Sequence, residues 1–142
     1  MYKIVEEKLS SLLNEDIGKL ILRVSISVLM LFHGYTKLVH GVDKIAAGLV
    51  KSGLPELLAY GVYIGEVLLP VLIILGLFTR LAALGMGITM VFAIYLVFWE
   101  KLFLLTKNGA PVIELPLLYL ILSIVIFFIG AGKYSFDGKR NK

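Results

Sequence analysis

Four apolar runs, each close to the length that crosses a bilayer, leave this 142-residue chain few folds to choose from. They fall at about residues 17–38, 59–78, 81–99 and 115–130. The first three hold roughly 19–22 residues, which at 1.5 Å per residue spans about 30 Å, the thickness of a hydrocarbon core. The fourth is a little short. None alternates with the period of two that a barrel strand needs. In lipid every backbone amide must be paired within the protein, and a continuous run can do this only as a helix. The expected fold is therefore an all-α membrane protein: one transmembrane domain, residues 1–142, packed as an antiparallel four-helix bundle.

Composition supports that reading. Hydrophobic residues make up 59% of the chain and the mean hydropathy is +0.95. Soluble chains hold roughly 45–50% apolar residues. The net charge of +4 is not interleaved with aromatics as a nucleic-acid surface would be, so no nucleic-acid partner is expected. With no cysteine the chain offers no disulfide, no iron–sulfur ligation and no thiol redox chemistry. Acids at Glu6, Glu7, Glu15 and Asp16 argue against a cleaved signal peptide at the N-terminus.

Four spans put both termini on one side. Lys3, Lys8, Lys19, Arg80, Lys133, Lys139, Arg140 and Lys142 share that side, against Lys37, Lys44, Lys51, Lys101 and Lys107 on the other. The positive-inside rule then places both termini in the cytoplasm of a cell that carries the protein as a multi-pass component of its plasma (inner) membrane, with lipids as its immediate partners. Residues 39–58 read as an outer interfacial segment, with Asp43 capping a short helix whose Ile45, Leu49 and Val50 share one side. Thr79 and Arg80 are expected to form a tight inner turn, and Asn108–Gly109 an outer one. Residues 1–16 pattern as a weak amphipathic helix or a solvated tail, and residues 133–142 as a basic cytoplasmic tail.

Ionisable residues inside the spans are the strongest functional signal. Arg23, His33 and Lys37 lie on the first run and Glu66 on the second. One such group at mid-membrane costs roughly 2.5–3.5 kcal/mol. At 100° per residue the three residues of the first run share one face, with His33 about 80° from Arg23. Lys37 sits at the outer mouth, His33 a turn deeper, and Arg23 roughly 15 Å further in. Glu66 matches His33 in depth, so it should pair with His33 or Lys37. Two readings follow: a hydrogen-bonded pair that fixes helix packing, or a buried proton-active or ligand-binding pair. Pro70 should open the helix at the Glu66 carbonyl, and Gly61 with Gly65 forms a Gly-x-x-x-Gly pair suited to close helix approach. Tyr95, Trp99 and Tyr119 read as belt or packing aromatics. No metal-ligand spacing is visible, and His33 and His40 sit too close on one helix to ligate a haem from both faces.

From about Lys19 to Asp137 the chain resembles the DoxX family of small four-helix bacterial and archaeal membrane proteins. The resemblance is carried by Arg23, by Phe32-His33-Gly34-Tyr35-Thr36-Lys37-Leu38, by Gly53-Leu54-Pro55 and Glu66, by Leu75-Gly76-Leu77-Phe78-Thr79-Arg80-Leu81-Ala82-Ala83, and by Gly130-Ala131-Gly132-Lys133-Tyr134-Ser135-Phe136-Asp137. Two positions depart from it: Leu69-Pro70 stands where many members have Gly-Gly, and Phe98-Trp99-Glu100 where many carry a histidine. The family's namesake members are associated with an archaeal quinol oxidase and with thiosulfate:quinone oxidoreduction, others with oxidative-stress complexes. The resemblance implies an accessory subunit of a quinone-linked redox system. Glu66 and His33 would be its proton-active groups, Lys37 a gate and Arg23 an inner anchor or anion contact. No cofactor is encoded; quinone is the expected ligand, and electrons would have to come from a soluble or membrane redox partner. The rival expectations are a scaffold that recruits a soluble partner through the basic tail, and a carrier for a small lipophilic or anionic molecule. Homo-oligomerisation is left open.

Overall fold

The protein is described by a computed structural model over residues 1–140, and the apolar runs are helical in it. In order, the helices are α1 (Tyr2–Leu12), α2 (Glu15–His40), α3 (Asp43–Lys51), α4 (Glu56–Leu75), α5 (Thr79–Lys101), α6 (Glu114–Ile129) and α7 (Phe136–Arg140). Helices α2, α4 and α5 are long and apolar enough to cross a membrane. Helix α6 has 16 residues, which gives about 24 Å against a core of about 30 Å. The basic tail read from residues 133–142 enters α7, and its last two positions, Asn141 and Lys142, lie outside the described residues.

Several boundaries differ from the sequence reading for identifiable reasons. Helix α2 starts at Glu15 because Asn14 caps it, its side-chain oxygen accepting the Asp16 amide at 2.9 Å. Acids in its first turn and Lys37 and His40 in its last complement the helix dipole. The second run shifts three residues towards its N-terminus, since Gly76 takes a left-handed conformation (φ 71°) and stops α4 at Leu75. The tight turn is therefore Gly76–Phe78. Thr79 and Arg80, expected in that turn, open α5. Asp43 does not cap α3 but is its first residue, after Val42; Ala46 and Leu49 face inward while Val50 is exposed. The expected outer loop is a small hairpin, with Thr106 donating to Ala110 and Gly109 (φ 81°) donating back to Thr106.

Helix α4 is not uniform. It begins as a tight 3₁₀ segment, Glu56–Tyr60, and widens over Ile64–Leu68, where the Leu69 amide reaches back five residues to Ile64. Pro70 sits just beyond this wide turn. Proline lacks an amide hydrogen and crowds the preceding turn, and a one-turn π bulge absorbs both effects. The bulge carries Glu66.

Helices α2 and α4 pack together, as do α4 with α5 and α5 with α6, and α2 also meets α6. The shared core holds Ile26, Met30, Ile73, Ala82, Ala83, Met86, Met90, Tyr119 and Ile126. Helix α3 folds over one end, placing Val42, Ala46 and Leu49 against Ala59. Apolar side chains elsewhere on α2, α4, α5 and α6 face outward, as a surface in contact with acyl chains requires.

Candidate functional site

The charged residues of the bundle divide between its two ends, and they do different work there. At the end where α2 begins, Arg23 is buried (1% exposed). Its guanidinium donates to the Ile73 and Ile74 carbonyls at 2.9 and 2.5 Å, and to the Tyr134 carbonyl. The Ile73 and Ile74 carbonyls lie in the last turn of α4, where a helix leaves carbonyls short of partners, and Ile73 also accepts the Gly76 amide at 3.1 Å. Arg80 does the same for α6, donating to Phe127 and Phe128 at 2.6 and 2.9 Å. Asp137 completes the set. Its carboxylate accepts the Phe78 amide at 3.1 Å, and the Thr79 amide and hydroxyl at 2.8 Å each, so it caps α5. Burial works to raise the Asp137 carboxyl, but the hydrogen bonds from Thr79 and Phe78, with the charge of Arg140, outweigh it and hold it below its ordinary value. Lys133 donates its amide to Asp16 at 2.9 Å. Arg23 thus serves as an anchor, and Arg80 and Thr79 have structural roles of the same kind.

The opposite end is the candidate site. Glu66 is buried (5% exposed) and its Oε2 forms an ion pair with Lys37 Nζ. Helix side chains tilt towards their own N-terminus. Lys37 and Glu66, on antiparallel helices, therefore lean towards each other, which decides for Lys37 between the two partners, His33 and Lys37, that depth counting offered. His33 makes no hydrogen bond to Glu66 among the described residues; its ring stands edge-on to Tyr119 at 5.8 Å. All four residues line one cavity of about 500 Å³. Its remaining wall is largely apolar, with Met30, Ile45, Leu49, Leu58, Val62, Met90, Leu96 and Phe98 among the contributors. Helix α3 thus forms part of the wall, through Ile45 and Leu49. Lys37 is also braced from behind, its backbone carbonyl accepting the Tyr63 hydroxyl at 3.3 Å.

Close backbone approach holds the pair in place. A Cβ on Gly34 would lie 2.4 Å from the Glu66 carbonyl oxygen, and one on Gly65 would lie 2.1 Å from Thr89 Oγ1. Only a residue without a side chain fits at either point. Gly61, expected to act with Gly65, has open space beside it and lines the cavity instead. Tyr95 and Trp99 are exposed and pair edge-on at 5.7 Å, as belt aromatics do, whereas Tyr119 is buried and faces the cavity. Gly34 and Asp137 are the positions that residue chemistry alone did not single out, and Tyr119, read as a belt or packing aromatic, lines the cavity. Gly34 and Asp137 stood inside segments quoted for the family resemblance.

Long apolar helices around a core with buried charge define this as a helical membrane protein. The DoxX family model matches residues 18–99, more than half of the chain. A relative from Haemophilus influenzae, described as an uncharacterized protein, is 34% identical over 121 residues, covering 83% of this chain and 87% of its own. The chain belongs to the DoxX family. The family match holds Arg23, His33, Lys37 and Glu66, while the 130–137 segment lies beyond it. No solved structure matches the chain.

Proposed function

We propose that the protein is a four-span component of the plasma (inner) membrane with both termini in the cytoplasm, and that its outer cavity holds the headgroup of a quinone or quinol as an accessory part of a membrane redox system. The eight-to-five bias of basic residues supports the orientation. The observation that carries the ligand reading is the convergence of Glu66, Lys37, His33 and Tyr119 on one otherwise apolar cavity of about 500 Å³. Cavities of roughly 300–1,000 Å³ with a few converging polar groups are the usual form of a small-molecule site. The donor set fits a quinone. The Lys37 ammonium and the Tyr119 hydroxyl can donate to a carbonyl oxygen, and Glu66 and His33 can accept from a hydroxyl. The apolar wall suits an isoprenoid tail.

In this reading a bound quinone takes up two electrons from a partner protein and two protons, and leaves as the quinol. Lys37 and Tyr119 orient the oxygen atoms of the ring. Glu66 and His33 hold or release the protons, and the paired Lys37 keeps the Glu66 carboxylate tolerable in a buried setting. Purification in mild detergent, followed by quinone extraction and identification of co-purifying proteins, tests it. A redox protein and a quinone retained by the wild type, with the quinone lost in Glu66→Gln, support the reading. Partner-dependent quinone reduction that persists undiminished in Glu66→Gln contradicts it. The same cavity also favours a second reading, a self-sufficient binding protein or carrier for a lipophilic or anionic molecule. That reading predicts saturable ligand binding by the purified protein with no co-purifying redox protein and no partner-dependent quinone reduction.

A further inference from the structure

A second hollow, of about 570 Å³, opens at the other end of the bundle, where α2, the α4–α5 turn, the end of α6 and α7 meet. Its walls are of two kinds. Phe78, Leu81 and Ile129 are apolar, and Arg80, Lys133 and Arg140 are cationic. Lys19 flanks it, lying 3.2 Å from where a Cβ on Gly132 would sit. The two acids in the lining are already engaged: both oxygens of Asp137 accept from Phe78 and Thr79, and Asp16 accepts the Lys133 amide. Among the described residues the cations make no salt bridge, and Lys37–Glu66 is the sole ion pair. Arg140 stands instead over the Phe78 ring at 5.9 Å. Counting Lys19, four cations meet the two acids, so the hollow keeps a net positive charge.

We infer that this hollow is a binding site for an anionic phospholipid of the adjoining leaflet, with the phosphate among Arg80, Lys133 and Arg140 and an acyl chain along Leu81 and Ile129. Basic pockets between helices at the membrane boundary recognise such headgroups, and each basic residue near the surface contributes about 1 kcal/mol. That corresponds to roughly a fivefold change in affinity per cation (RT ≈ 0.59 kcal/mol). Charge complementarity selects the headgroup, and the apolar wall separates a lipid from a free anion. The site is independent of the outer cavity and of any quinone chemistry.

The test is lipid binding to the full-length protein in a neutral detergent, read by native mass spectrometry and by thermal shift. Phosphatidylglycerol, phosphatidylcholine and inorganic phosphate are the probes. The wild type should retain phosphatidylglycerol and gain stability from it, with the effect falling as salt rises. Phosphatidylcholine and inorganic phosphate should do neither. Lys133→Gln combined with Arg140→Gln should leave the lipid-free protein folded, because among the described residues neither side chain makes a hydrogen bond or salt bridge and Arg140 adds only its contact with Phe78 and its charge near Asp137; it should weaken phosphatidylglycerol binding by roughly 25-fold. Lys133→Arg with Arg140→Lys should restore it. Equal binding of phosphatidylcholine, an equal shift from inorganic phosphate, or undiminished phosphatidylglycerol binding by the double glutamine variant would each overturn the assignment.

Discussion

The Lys37–Glu66 pair is asymmetric, and the asymmetry can be measured. The Glu66 side chain is 6% exposed and that of Lys37 is 25% exposed. Replacing Lys37 by Met strands a carboxylate in a buried setting, and removing one partner of a buried pair costs about 3–5 kcal/mol. Replacing Glu66 by Gln leaves Lys37 a neutral acceptor in the same place and a route for its ammonium to water or headgroups. That loss should be near 1 kcal/mol, the worth of one hydrogen bond. The double variant, Lys37→Met with Glu66→Gln, has no stranded charge and should be more stable than Lys37→Met alone by about 2 kcal/mol; with the loss of about 1 kcal/mol in Glu66→Gln this is a coupling of about 3 kcal/mol, well above the roughly 0.5 kcal/mol scatter of independent sites. The chain carries a single tryptophan, Trp99. Its fluorescence can follow unfolding of purified protein in mixed micelles as denaturing detergent is raised. Equal losses for the two single variants, or losses that simply add in the double, would refute the placement of the carboxylate in a buried pair.

Gly65→Ala drives a methyl group into Thr89 and should cost about 1–3 kcal/mol by overpacking, while Gly61→Ala meets open space and should be neutral or stabilising; the same unfolding assay separates them. Arg23→Met removes the donors to Ile73, Ile74 and Tyr134 and should destabilise by at least about 3 kcal/mol, with Arg23→Lys recovering only part because an ammonium cannot fork between helix ends. Asp137 sits below its ordinary value of 3.8 in the folded protein. Its contribution is therefore fully present above that value and is lost as pH falls through the lower folded one. Melting in detergent between about pH 5 and pH 2 should show that loss in the wild type and a reduced slope in Asp137→Asn.

The helices were legible because lipid leaves so few alternatives: length and apolarity alone located all four runs to within about three residues. What moved the boundaries was local chemistry, the Asn14 cap on α2 and the left-handed Gly76 after α4. Depth counting brought Lys37, His33 and Glu66 to one end of the bundle, but it treated side chains as level with their Cα atoms. Opposite tilts on antiparallel helices made Lys37 the partner, and left His33 facing the cavity beside Tyr119. The cluster around Arg23 and Asp137 was less accessible. Arg23 bonds backbone carbonyls 50, 51 and 111 residues away, and Asp137 caps a helix that begins 58 residues earlier. No local pattern announces such partners. The Gly-x-x-x-Gly pair shows the opposite failure, since a spacing motif names two glycines and only Gly65 faces a neighbour.

Titration of a short-chain quinone into the purified protein, followed through quenching of Trp99 next to the cavity-lining Val97 and Phe98, bears most directly on the cavity that holds Lys37 and Glu66. The account predicts saturable quenching at stoichiometric occupancy, weakened at least tenfold by His33→Leu or Glu66→Gln in protein that remains folded. Quenching that rises linearly without saturation, or that is unchanged in both variants, would contradict it.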